Sequence, residues 1–299
     1  FKMKIIKLFL FRFLRNIYLL PSIFLILFDK KNYQYPSEKN QCFLIDNRSD
    51  LNDILNEIEN FYLKDCKEKL NKIIQDNKNN NKYSSEIEGL LDKSLQEKLV
   101  NILKNQDFIS YLSCFFGYKL KFNSYLIRLN FYNSNLSEEE GPKMWHRDND
   151  SFFGQIKLFS VFNNLDLQSG GNFYFVPQKN IKDYEFVNNS VKNTKLNLLD
   201  QRSRILNSEM NKVKDVEKNI VKFGNVKNQF LAIDTNDTYH KGGFIKQDGS
   251  VRLLLQVIYE PYFNSLSNYH SSYKNNSGIF HIKNILTGIK NRLRSRVRI

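Results

Sequence analysis

The chain has 299 residues and only four histidines. One of them lies in MWHRDND (144–150), where His146 stands two residues before Asp148. In an extended segment, residues two apart share a face. The pair therefore suits two ligands of one metal ion, and equally an ordinary surface hydrogen bond. A second histidine, His240, lies 240 − 146 = 94 residues on, in NQFLAIDTNDTYHKGG, after a strand-like run and before two glycines. Twelve residues later (252 − 240), Arg252 interrupts the apolar run VRLLLQV. A guanidinium in an apolar strand is costly unless a carboxylate or another anion meets it.

Two histidines and one carboxylate make the facial triad of non-haem Fe(II) oxygenases, which leaves one face of the metal open. A 2-oxo acid fills two of the open positions and O₂ the last. Arg252 would then take the far carboxylate of 2-oxoglutarate in a two-pronged pair. Each residue also has a purely structural reading. His146 with Asp148 can be a hydrogen-bonded pair, His240 a turn histidine, and Arg252 the partner of a structural carboxylate. Trp145 reads as packing beside the site. His270 and His281 have no neighbours at ligand spacing and read as surface residues.

These residues need a scaffold. From about residue 120 the texture is of short strands rich in aromatic and branched residues: 119–132, 152–165, 170–177, 228–234 and 251–263, separated by SEEEG, QSGG and QDGS turns. Strands without long intervening helices predict a sandwich or barrel. A charged insertion at about 180–222, partly helical by pattern, stands where a lid or substrate loop could sit. Residues 46–117 predict helices. Ser49 is the expected N-cap of a stripe through Leu51, Ile54, Leu55 and Ile58, and DNKNNNKYSS (76–85) reads as a loop.

WHRDND, KLFSVFNNLDLQSGGNFYFVP and FLAIDTNDTYHKGG with VRLLLQV together resemble the phytanoyl-CoA dioxygenase family of Fe(II)/2-oxoglutarate oxygenases, over about residues 100–262. The resemblance implies a mainly β fold with flanking helices: a double-stranded β-helix, or jelly roll, with a helical region before it. It implies iron on His146, Asp148 and His240, 2-oxoglutarate on Arg252, and polar contacts to that co-substrate from Asn130 and Ser160. Relatives usually follow the glycine turn with Pro-Gly-Ser-His, whereas this chain has VPQKN (176–180), so substrate contacts do not carry over. Related halogenases replace the acidic ligand with a small residue. Asp148 is present, so hydroxylation of an unactivated C–H is the expected reaction.

The net charge of +14 sits mainly in two tails. Residues 1–31 carry seven bases and one acid, 7 − 1 = +6. Residues 281–299 carry six bases and no acid, +6. The remainder is 14 − 12 = +2. That argues against a nucleic-acid groove in the body of the fold. Ile6, Phe9, Leu10, Phe13, Ile17 and Leu20 lie opposite Lys4, Lys7, Arg12 and Arg15 on a helical wheel, with Pro21 expected to end the helix. Such a segment suits an anionic membrane surface. A short signal sequence, or a helix docked on the body, also fits the pattern. The C-terminal tail has a similar stripe, or is a solvated basic tail. The expected division is 1–31 basic segment, 32–118 helical region, 119–263 oxygenase core and 264–299 basic tail. Peripheral attachment at the inner face of a membrane would suit a lipid- or glycan-linked substrate as well as a free small molecule. A rival reading is a non-catalytic jelly roll held there by its tails. Three widely spaced cysteines make no disulfide framework and suit a reducing, cytoplasmic setting.

Overall fold

A computed structural model describes residues 17, 19–25, 42–46, 48–136, 143–148, 154–163, 170–177, 205–211, 216–224, 227, 229–236 and 238–262. The strands are β1 (Cys42–Asp46), β2 (Ser84–Glu86), β3 (Leu120–Phe131), β4 (Ile156–Val161), β5 (Phe173–Val176), β6 (Val221–Phe223), β7 (Gln229–Asp234), β8 (Tyr239–Gly242) and β9 (Val251–Pro261). The helices are α1 (Ser49–Asn60), α2 (Lys67–Asn79), α3 (Lys93–Leu103) and α4 (Gln106–Phe116).

All strand pairs are antiparallel. The large sheet runs β1-β7-β4-β9-β3-β2 and the small one β6-β5-β8. An isolated pairing of His146 with His240 adds the 145–146 segment beside β8. Followed along the chain, β3 lies in the large sheet, 145–146 in the small, β4 in the large, β5 and β6 in the small, β7 in the large, β8 in the small and β9 in the large. That winding between two sheets is a double-stranded β-helix, the expected jelly roll.

The period of two along each strand divides the core. Leu253, Leu255, Val257 and Tyr259 of β9, with Ile156 and Leu158 of β4, pack outward against Ile54, Ile58, Leu99, Leu103, Phe108 and Leu112 of the helices. Phe159 and Val161 of β4, Leu231 and Ile233 of β7 and Leu254 of β9 turn inward, toward Phe173 and Phe175 of the small sheet. A third cluster of Trp145, Val176, Ile205, Met210, Val216 and Tyr239 includes residues of the predicted insertion. Within the insertion the short helical turns Asn207–Met210 and Val216–Asn219 are described. Met210 and Val216 of these turns pack with Trp145; residues 178–204 and 212–215 lie outside the described residues, and with them most of the segment expected to form a lid or substrate loop.

The helical layer is tied by its caps. Asp92 accepts from the Ser94 and Leu95 amides at the start of α3, and Asn105 from the Asp107 and Phe108 amides at the start of α4. Gly117, at φ 76°, ends α4. Ser49 is the first helical residue of α1 rather than its cap; Arg48 precedes it and pairs with Asp50 at 2.6 Å. Four strands lie where none was expected, β6 and β8 on either side of β5 among them. β1 borders β7, and β2, in the segment read as a loop, borders β3.

Pro21 does not end the N-terminal helix: 19–25 are helical through it. A proline removes one amide donor. Here docking on the body offsets that loss, since Leu19 is buried, Ile23 packs on the large core and the Lys119 amide donates to the Ser22 carbonyl at 2.9 Å. No helix among the described residues is long and apolar enough to cross a membrane. The basic residues of both tails lie outside the described residues, and with them the membrane reading.

Candidate metal and oxo-acid site

Alternation places His146 and Asp148 on one face of their segment and Trp145 and Arg147 on the other. Trp145 is buried in the outer cluster, and Arg147 lies 4.9 Å over the Tyr239 ring. His146 and His240 exchange both backbone hydrogen bonds, each at 2.9 Å, which brings their imidazole centroids to 4.3 Å. The Asp148 amide donates to Thr235 O at 2.9 Å, anchoring the carboxylate beside them. Three residues after His240, a Cβ at Gly243 would strike the Asn172 backbone. Glycine there lets the two chains pass in contact.

His146 Nδ1 lies 2.8 Å from Met144 O, and His240 Nδ1 lies 2.9 Å from Thr238 O. A carbonyl only accepts, so each Nδ1 carries the proton and each Nε2 presents a lone pair. Those two Nε2 atoms stand 3.6 Å from Asp148 Oδ1 and 3.6 Å from Oδ2 respectively. All three ligand atoms lie within 4.8 Å of one another. The donor set is therefore two neutral imidazoles and a carboxylate, aimed at a common point and buried or nearly so. It fits a divalent transition metal such as Fe(II).

Lys157 adds a charge that the sequence reasoning missed. It sits in β4, 6% exposed, with Nζ 2.6 Å from Asp148 Oδ2. Burial alone would raise the Asp148 carboxyl pKa. The Lys157 ammonium, joined by His240 and His146 when these are protonated, outweighs burial and holds it below the ordinary carboxylate range. The signal was present in IKLFSV: a lysine in an apolar strand needs an anion for the same reason as Arg252.

Arg252 is 5% exposed, and burial pulls its pKa down to about 10, with Tyr83 acting the other way. It stays charged at neutral pH. Asn130 is its direct partner in the β3–β9 register. In the amide orientation that satisfies both ends, Asn130 Oδ1 accepts from Arg252 Nε at 3.3 Å and Nη2 at 3.2 Å, and Nδ2 donates to Ser84 Oγ at 2.9 Å. Nη1 has no hydrogen-bond partner among the described residues. A Cβ on Gly224, at φ +108°, would lie 3.7 Å from that nitrogen and 3.8 Å from Phe173 N. The Phe173 ring stacks on His240 at 5.3 Å. One aromatic residue thus runs from the histidine pair to the space around Arg252.

The predicted residues are therefore not all together. His146, Asp148 and His240 converge, and Arg252 ends on the same aromatic wall. Asn130 holds Arg252. Ser160 lies between the inward residues Phe159 and Val161, and its hydroxyl donates to Gln229 O at 3.1 Å.

The fold is a jelly roll that carries His146 and Asp148 on the segment paired with β8, His240 on β8 and a buried Arg252 on β9. No family model matches the chain, and no curated protein matches it. Solved structures do. EctD from S. alaskensis, with 2-oxoglutarate and 5-hydroxyectoine, is 10% identical at TM-score 0.45, over 77% of this chain and 78% of that one. The non-heme alpha-ketoglutarate-dependent epimerase SnoN from nogalamycin biosynthesis is 9% identical at TM-score 0.43, over 80% and 88%. Iron-bound HygX from Streptomyces hygroscopicus is 10% identical at TM-score 0.42, over 75% and 84%. With all three TM-scores under 0.5, the reading rests on the chain's own geometry.

Proposed function

We propose that the chain is an Fe(II)- and 2-oxoglutarate-dependent dioxygenase of the phytanoyl-CoA dioxygenase type, hydroxylating an unactivated C–H of a small molecule. His146 Nε2, His240 Nε2 and Asp148 would hold the iron, and Arg252 the distal carboxylate of 2-oxoglutarate. The observation that carries the reading is a pair of needs in one barrel. Two imidazole lone pairs and a carboxylate converge within 4.8 Å, and a buried guanidinium nitrogen behind them has no partner among the described residues. A metal answers the first need and a dicarboxylate the second.

When bound, the iron would supply O₂ activation coupled to oxidative decarboxylation of the co-substrate to succinate and CO₂. The chain's own residues do the rest. Met144 and Thr238 carbonyls fix both imidazole tautomers. Asn130 aims Arg252 inward. Phe159, Phe173, Leu231 and Leu254 wall the interior with apolar side chains and exclude water.

Anaerobic titration with Fe(II) and 2-oxoglutarate tests this. The weak visible metal-to-ligand charge-transfer band should form, vanish in His146→Ala, and need far more 2-oxoglutarate in Arg252→Ala. A folded, iron-replete protein without the band would overturn the proposal.

A further inference from the structure

Lys157 is an odd neighbour for a metal ligand. β4 is a central strand, with Lys157 paired to Ile233 on one side and Ile258 on the other, so its backbone is held from both edges. Its side chain is 8% exposed, and its ammonium sits on one particular carboxylate oxygen, Oδ2, at 2.6 Å. A structural ion pair would account for that contact alone. It would not account for two imidazole nitrogens converging on the same carboxylate, each at 3.6 Å. Asp148 therefore has two kinds of partner: a hydrogen-bonded cation at Oδ2, the oxygen that His240 Nε2 also faces at 3.6 Å, and the His146 Nε2 at Oδ1.

We infer that Lys157 is a positioning residue that confines Asp148 to one-oxygen ligation; the inference rests on the metal-site reading above. A carboxylate beside a metal can bind through one oxygen or both. An ammonium hydrogen-bonded to Oδ2 occupies one of that oxygen's two lone pairs, lowers its donor strength and repels a metal drawn toward it. The metal then keeps three protein atoms, and an octahedral ion keeps three open positions. Two suffice for a chelating oxo acid and one remains. Without Lys157 the second oxygen would close one position.

The test uses the full chain loaded with Mn(II) and counts exchangeable waters by the broadening of its paramagnetic resonance in ¹⁷O-enriched water. The wild type should hold three. Lys157→Met, matched in length but uncharged, should hold two and bind Mn(II) more tightly, by roughly tenfold, as the neighbouring positive charge is gone. Lys157→Gln, which keeps a donor for Oδ2, should return to three. A count of two in the wild type overturns the inference without any variant, whether or not Lys157→Met folds. A count of three in folded Lys157→Met overturns it as well. Adding 2-oxoglutarate should displace two waters from the wild type. Failure there, with the Lys157 effect intact, would sink the co-substrate reading and leave this one standing. No Mn(II) binding at all would sink both.

Discussion

The two faces of β4 invite comparison. Outward, Ile156 and Leu158 are fully buried against the helical layer. Inward, Lys157 shares its face with Phe159 and Val161. Neighbouring residues of one strand thus serve different ends. The outward side is built mainly on volume and apolarity, and two of its buried phenols have backbone partners: Tyr62 Oη donates to Ile87 O at 2.9 Å, and Tyr259 Oη to Leu103 O at 3.0 Å. The inward side buries the cations Lys157 and Arg252, which cost stability unless paired. The large sheet carries its stability on one face and its chemistry on the other.

Substitutions should separate the two faces. The largest effect is expected from His240→Ala: turnover of 2-oxoglutarate, followed as succinate, should fall by on the order of a thousandfold or more, since a two-ligand site scarcely holds iron. Leu158→Ala should cost about 2–5 kcal/mol in denaturant unfolding while leaving metal affinity of the folded protein alone. If both properties fell together, the faces would not be independent. Arg252→Met should raise the 2-oxoglutarate requirement by about 30-fold or more, as for one partner of a buried charge pair. Asn130→Ala, which loosens Arg252 without removing it, should weaken 2-oxoglutarate binding by roughly fivefold, about 1 kcal/mol. Ser160→Ala on the opposite face should leave that binding unchanged. The smallest effect concerns alkali. Burial holds the Tyr62 and Tyr259 phenols above the ordinary tyrosine pKa, so their stabilisation is intact below that value. It should be lost as pH rises beyond it, where the unfolded phenols ionise first. Tyr62→Phe should flatten the alkaline fall in stability.

How much of this was legible follows from periodicity and cost. His-x-Asp, the distant His and the lone Arg in an apolar strand could be read from spacing and from the expense of buried charge. The five main β runs followed their branched and aromatic residues. β1 and β2 could not: they are short edge strands whose pairing partners, β7 and β3, lie far along the chain. Which face Ser160 takes was not legible, because only strand register tells one face from the next and a shift of one residue reverses every side chain. Lys157 in IKLFSV carries the same signal as Arg252, a cation in an otherwise apolar strand that needs an anion. Pro21 was read as a stop from its local chemistry alone, whereas docking against Lys119 is a tertiary effect.

The reciprocal backbone hydrogen bonds between His146 and His240 carry a last consequence. They close a loop that contains four of the core strands, β4 to β7, as well as the insertion. Such long-range closure is entropically demanding and forms slowly. Metal captured by a nascent or fragmentary chain would find one histidine and one carboxylate, never the full set. An ion bound across that closure behaves as a non-covalent cross-link, and its strongest imprint should be on the rate at which the amides of these two histidines exchange with solvent.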